Sequence, residues 1–352
     1  MNNIYIFGIT SASGGIENLM RYFILDSMRK NMFQNVFIVT SYNTIAFEQE
    51  YLDNGVNIIK TPQRKNRKNY KNALNNIVNN ISPKDIIYLN ISTYCNWTLF
   101  NIIKKCNCRV VIHGHNAKVS NPLKKILHYI GKKRFAKLGR KIAVSSECSR
   151  FMFGNKSNVI IHNGVNSNDF LFNKNDRNLI RKELSIDKNA IVVGCVGRIS
   201  KEKNQLYLAK ISKKYPDLLF LFVGDFMNKK YKVRMISNSG SNCIFVGQKN
   251  NVGMHLSAMD GLVLPSKSEA FPLSAAEALT NSLPIFFHPK LAKKLPEVFV
   301  SNPDCHIMLK NELDVSVLKE SHNKRNIGVT EQNNSFDITN FLKELYLFLG
   351  EF

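Results

Sequence analysis

Acidic residues are few in this sequence: 26 Asp and Glu stand against 49 Lys and Arg, a net charge of +23 over 352 residues. The shortage is uneven. Residues 1–168 hold 24 basic and 7 acidic side chains, a balance of +17, and the remainder holds 25 and 19. Such a field predicts an anionic partner, either nucleic acid or an anionic membrane surface. No helix-turn-helix, zinc-finger or RNP pattern is present, so nucleic acid is not expected. No apolar run approaches the ~20 residues of a membrane-spanning helix. The run 4-IYIFGI-9 is too short for a secretory leader, because Ser-Ala-Ser-Gly-Gly follows at once. The seven cysteines are odd in number and include no pair of CxxC units, which argues against a structural zinc site and predicts free thiols in a reducing cytoplasm. There is no internal repeat and no low-complexity linker, and 44% hydrophobic residues make a globular composition.

What is present is alternation. Short β-rich runs such as 4-IYIFGI-9, 36-VFIVT-40, 86-IIYLN-90, 109-RVVIHG-114, 191-IVVGCVGR-198, 219-LFLFVGD-225 and 261-GLVLPS-266 are separated by segments of helical spacing. This predicts an α/β chain of two doubly wound units, with ligands beyond the carboxyl ends of the strands. The boundary falls near 163-NGVNSNDF-170.

Four stretches carry the chemistry. In 11-SASGGIENLM-20, Gly14 and Gly15 lie between the first strand and the first helix, where backbone can approach an anion. The segment is not a dinucleotide GxGxxG, and no Walker lysine follows it; a plain tight turn is the competing reading. In 197-GRISKEKN-204, Arg198 and Lys203 pair a planar fork with a point charge, suited to a diphosphate, although two solvated cations would give the same pattern. In 111-VIHGHNAK-118, His113 and His115 sit at a strand end, where a histidine can donate to a sugar hydroxyl or move a proton. The fourth stretch is 268-SEAFPLSAAEAL-279. Pro272 suits a first helical turn, so Glu269 belongs to the preceding loop and Glu277 to the helix. Both carboxylates can then face one crevice, with the amides of Phe271, Leu273 and Ser274 as anion donors between them. Vicinal sugar or ribose hydroxyls match such carboxylates. Asn281 stands where a left-handed cap is expected.

Together 14-GGIE-17, 113-HGHN-116, 144-VSS-146, 162-HNGVN-166, 197-GRISKEKN-204, 260-DGLVLPS-266 and 268-SEAFPLSAAEAL-279 resemble glycosyltransferase family four, retaining enzymes of the GT-B fold, and in particular members that build bacterial capsules, exopolysaccharides and O-antigens. The resemblance implies two Rossmann-like domains facing a central cleft. These are an acceptor-binding domain over 1–168, a nucleotide-sugar-binding domain over 169–335, and a terminal helix over 336–352 that returns to the first. It implies that Glu269 holds the donor sugar and Glu277 the ribose, and that Arg198 and Lys203 neutralise the departing diphosphate. Leu273 and Ser274, with Phe271 and Pro272 beside them, would bind phosphate or sugar, and backbone near Gln248 would read the base. His113 would lie beside the reacting sugar. Gly14 and Gly15 would approach the donor phosphate, and Glu17 and His115 would face the acceptor. Ala270 stands where the family prefers glycine, and 286-FFHPKLAKKLPE-297 lacks a Gly-rich turn common there.

The implied function is retaining hexosyl or N-acetylhexosaminyl transfer from a nucleotide sugar, UDP first, to a glycan or lipid-linked acceptor. No cofactor or metal is expected, since no DxD motif appears. A sugar-nucleotide epimerase of the same fold is the first alternative, and a basic nucleic-acid-binding protein the second. The stretches 60-KTPQRKNRKNYK-71 and 121-NPLKKILHYIGKKRFAKLGRK-141 carry six and eight cations. They predict docking on an anionic membrane surface, at the inner face of the cell membrane, with a core-facing helix as the competing reading for the second.

Overall fold

A computed structural model describes residues 2–12, 14–154, 158–308, 312–328, 330 and 335–350. The chain forms two compact units, Met1–Asn163 with Asn340–Phe352, and Gly164–Thr339.

The first unit is built on seven parallel strands: β1 Ile4–Phe7, β2 Val36–Thr40, β3 Asn57–Lys60, β4 Ile86–Ile91, β5 Arg109–Gly114, β6 Arg140–Ala143 and β7 Val159–Ile160. Their order is β3-β2-β1-β4-β5-β6-β7. β1 reads as a continuous apolar run and β4 as one interrupted only by Asn90, and both are buried throughout, as expected of central strands covered on both faces. The order reverses at β1, which pairs with β2 on one side and β4 on the other.

The second unit has six strands: β8 Ile191–Val196, β9 Leu218–Val223, β10 Cys243–Phe245, β11 Gly261–Leu264, β12 Ile285–Phe287 and β13 Cys305–Ile307. Their order is β10-β9-β8-β11-β12-β13, reversing at β8. The strand β13 was not expected. Its three residues, Cys-His-Ile, are too few and too mixed to read as an apolar run, and pairing to β12 makes them a strand.

The unit boundaries differ from the expected 168/169 and 335/336. Val165 donates to Phe336 O at 2.8 Å and accepts from the Ile338 amide at 2.8 Å. A Cβ on Gly164 would lie 2.7 Å from Ile338 Cα. Residues 164–168 therefore belong with the segment 335–339 rather than with the first sheet. The helix Ile338–Gly350 then packs on the first unit. Tyr346 Oη donates to Asp26 at 2.8 Å, the Phe341 ring lies 6.3 Å from His113, and the Arg140 guanidinium sits 4.0 Å over the Phe348 ring.

A buried polar network holds the second unit. The helix Val252–Ala258 ends with carbonyls that have no partner in the helix. Arg177 donates to the carbonyls of Ser257, Ala258 and Met259, Arg181 to Ala258, and Arg325 to Leu256 and Ser257. Asp260 takes Arg177 at 2.7 Å and Arg181 at 2.8 Å, at zero exposure. Its carboxyl is held below the usual range; burial opposes this, but His322 and the two guanidinium groups outweigh it. Asn281 is part of this network and not a left-handed cap: its φ is −82°, and its side chain bonds Phe170 O, Ser257 and Arg325. The left-handed residue is the next one, Ser282, at φ +59°.

Candidate functional site

The loops after β8 and β11 leave neighbouring strands at the switch point of the second sheet, and there the structure brings three predicted residues together. Lys203 Nζ bonds both oxygens of Glu269, at 2.9 and 3.0 Å. Glu277 lies one turn into the helix Leu273–Thr280. It is half-buried, and burial raises its carboxyl to about 7, against a smaller lowering by Lys203.

The loop 197–204 is fixed from within. Gln205 accepts from the Ser200 amide at 3.1 Å and donates to Arg198 O at 2.9 Å. Asn204 adopts φ +61° and donates to Pro265 O at 2.9 Å, tying this loop to the one after β11. The Ile199 amide reaches Asp225 O at 2.8 Å. Gly197 has φ +128°, and nothing lies within 4 Å of where its Cβ would be. A glycine is thus required beside open space. Arg198 is exposed next to that space, and its guanidinium has no acid partner among the described residues.

Other predicted donors are committed elsewhere. The Leu273 amide donates to Phe271 O at 3.0 Å, which leaves Ser274 as the candidate donor at this helix start. Pro272 is the cap residue, just before the helix. The Phe271 ring packs 5.2 Å from Phe299 and 6.2 Å from Phe336, so its side chain belongs to the core. The Gln248 amide donates to Asp225 Oδ1 at 3.0 Å, so that amide is already engaged within the unit.

In the first unit, His113 lies next to last in β5 at zero exposure, and His115 follows the strand at 7%. Their ring centroids are 3.9 Å apart. Burial lowers both, His113 well below the ordinary range with His115 adding to the effect, and His115 to about 3. Both are neutral near pH 7. Tyr88 Oη lies 2.6 Å from His113 Nδ1. Burial raises the Tyr88 phenol, so it keeps its proton, and it has no other acceptor among the described residues. Donation to Nδ1 places the His113 proton on Nε2. That atom, both nitrogens of His115 and Asn90 Oδ1 are buried without a partner among the described residues, and such groups mark a place that a hydroxyl-bearing ligand can satisfy. Tyr88 and Asn90 were not foreseen; they are read from β4 only once its register sets Asn90 beside His113.

The glycine-rich turn has a different logic from the one expected. Gly14 is extended at φ −117°. A Cβ there would meet Glu17 Oε2 at 3.0 Å, so the carboxylate folds back over it. Thr10 donates to Glu17 Oε1 at 2.5 Å, which makes Glu17 a buried brace of this turn. Gly15 is exposed at the start of the helix Gly15–Arg29. No group of three His, Cys, Asp or Glu that could hold a metal ion occurs among the described residues.

Residues 176–343 match the family model described as glycosyl transferases group 1. The group 1 segment includes every residue of the Arg198–Lys203–Glu269–Glu277 set. An Escherichia coli UDP-Gal:alpha-D-GlcNAc-diphosphoundecaprenol alpha-1,3-galactosyltransferase is 35% identical over 134 residues, 36% of this chain and 35% of that one. The Escherichia coli O-antigen biosynthesis glycosyltransferase WclY is 27% identical over 137 residues, 36% of this chain and 38% of its own. Each match therefore spans little more than a third of the relative. Across its whole length the chain is similar in fold to Anabaena HepE, solved in complex with UDP and glucose, with a TM-score of 0.77, 14% identity and 100% of both chains covered. The fold is GT-B, with two Rossmann-like units.

Proposed function

We propose that the chain is a retaining glycosyltransferase that moves a sugar from a UDP-sugar to a hydroxyl of a lipid-linked glycan in cell-surface polysaccharide synthesis. The observation that carries this reading is the Lys203–Glu269 pair at the β8/β11 switch point, with Glu277 on the adjoining helix. An ammonium has three donors, so Lys203 can hold Glu269 and still reach a phosphate oxygen. Arg198 supplies a second cation beside the open backbone of Gly197. With the start of the helix Leu273–Thr280, these groups meet the charge that develops on a departing nucleoside diphosphate. No metal is needed for that role, and the rate is expected to be unchanged by EDTA. Glu269 orients hydroxyls of the sugar and Glu277 the ribose pair. On the acceptor side, neutral His113 with its proton on Nε2 is a hydrogen-bond donor to a sugar oxygen.

UDP-galactose and a diphosphoundecaprenol acceptor are the first substrates to test, because the 35% identical relative is named for them. The alpha linkage in its name is the outcome that retention gives from an α-linked donor. Replacing Arg198 or Lys203 by Ala is expected to lower turnover by about a hundredfold or more, with an unchanged circular dichroism spectrum. Unchanged turnover in both variants would sink the assignment. Epimerisation of the donor without an acceptor would replace it by the epimerase reading.

A further inference from the structure

The segment 104–108 joins the helix Trp97–Ile103 to β5 and carries two cysteines with one residue between them. Cys106 Sγ and Cys108 Sγ lie 2.8 Å apart. Both thiols are free and half-buried, and Asn107 between them is exposed. The backbone that presents them is fixed on both sides. The Cys106 amide donates to Ile103 O at 3.0 Å, at the end of the helix, and the Arg109 amide donates to Asp85 O at 3.2 Å, just before β4. Three other thiols are engaged singly: Cys148 donates to Gly114 O, Cys95 to Lys124 O and Cys243 to Ser212 Oγ.

The surroundings distinguish the two sulfurs. Burial raises the Cys108 thiol, with Cys106 and Asp85 adding to the effect, so Cys108 keeps its proton near pH 7. Asp85 is itself buried and accepts from the Asn3 and Ser82 amides, at 2.8 and 3.0 Å. Lys104 and Lys105 are exposed immediately before Cys106, and Lys84, whose carbonyl accepts from the Arg109 guanidinium, is exposed as well. The rim of the pair is therefore cationic, which draws an anionic co-reactant. A disulfide between these residues would close a loop of only three. So short a closure removes little chain entropy, and a strained bond is readily reduced. The pair is thus poorly suited to a permanent staple and well suited to reversible exchange.

We infer that Cys106 and Cys108 form a thiol–disulfide exchange site for small anionic disulfides, of which glutathione disulfide is the test case. Cys106 attacks one sulfur of the disulfide. The S–S bond breaks, a mixed disulfide forms on Cys106, and the first glutathione leaves with the Cys106 proton. Cys108 then attacks Cys106 Sγ and closes the ring, and the second glutathione leaves with the Cys108 proton. The two protein thiols lose two electrons, and one glutathione disulfide is reduced to two glutathiones. The pair precedes the first residue of β5, whereas His113 lies near that strand's other end. Exchange at this site therefore stands apart from the transferase reading.

The test is incubation of the full chain with glutathione disulfide, followed by denaturation, thiol counting and mass spectrometry of the tryptic peptide 106–109. Of the seven cysteines, two are expected to lose their thiols. Two glutathiones should be released per chain with none retained, the peptide should be lighter by two hydrogens, and dithiothreitol should reverse the change. Cys108→Ser is expected to hold one glutathione on Cys106. Cys106→Ser is expected to react at least about tenfold more slowly than the parent. Both variants should melt like the parent. A parent chain that keeps all its thiols, or that retains glutathione on Cys106 without closing the ring, would overturn the proposal. Loss of two thiols from the Cys106→Ser/Cys108→Ser variant would overturn it too.

Discussion

Glu277 and Glu269 are the same residue type eight positions apart, yet their surroundings separate them. Glu269 shares its charge with Lys203 at 2.9 Å. Glu277 is half-buried without an ion-pair partner among the described residues, and burial raises it to about 7. If it accepts two ribose hydroxyls, only the ionised form can do so with both oxygens. In the free chain the proton is on below about 7 and off above it. Nucleotide affinity is therefore expected to rise with pH toward 7 and level off beyond, with a slope below 7 approaching about tenfold per pH unit. Calorimetry with UDP across this range measures it. Glu277→Gln should bind more weakly and with a flat pH profile; a variant that keeps the slope would place the titrating group elsewhere. The Glu pair was legible from Pro272 between its members, but the pairing of Glu269 with Lys203, 66 positions away, was not. The cation was expected to serve the diphosphate alone.

Among the elements, the helices Val252–Ala258 and Leu273–Thr280 show how short helices are made to stay. The first has seven residues, too few to be stable on its own. Three arginines occupy the carbonyls at its end, and one carboxylate, Asp260, balances two of them. Replacing Asp260 by Asn leaves Arg177 and Arg181 buried with no carboxylate. The expected cost is about 3–5 kcal/mol, read as a lower urea midpoint for the second unit; a change below about 1 kcal/mol would show that the carbonyls suffice. Nothing in the sequence marks these arginines. Arg177 and Arg181 are spaced as an ordinary exposed basic stripe, and they become interior only when the helix Lys174–Glu183 packs on Val252–Ala258. By contrast, the apolar stripe of the helix Pro122–Arg134 was fully visible as a pattern. What the pattern left open was its direction, because amphipathicity names a face without naming what covers it. Gly131, where a Cβ would lie 2.5 Å from Tyr94 O, and His128, stacked on Phe151, turned that face outward, with Leu123 65% exposed.

For the whole molecule, the C-terminal helix crosses the division of the chain into units: it follows the second unit in sequence and packs on the first. Leu345 is fully buried and Phe341 is 2% exposed, and Tyr346 bonds Asp26 on the helix Gly15–Arg29. Tyr346→Ala is expected to destabilise the first unit by about 3 kcal/mol or more. Hydrogen exchange should quicken in Gly15–Arg29 and stay unchanged around β8 and β11; faster exchange only in the second unit would contradict this. The sequence by itself determined the alternation of strands and helices, the two doubly wound sheets and the loops that carry the candidate donor site. Those features rest on local periodicity, on glycine and proline, and on short motifs, all of which act within a few residues. Only the tertiary structure decided that Lys203 meets Glu269, that Tyr88 sets the proton of His113, that Glu17 braces its own turn and that β13 is a strand. Each depends on groups brought together from distant positions or separate elements, where register and burial fix which polar atoms find partners and which are left for a ligand.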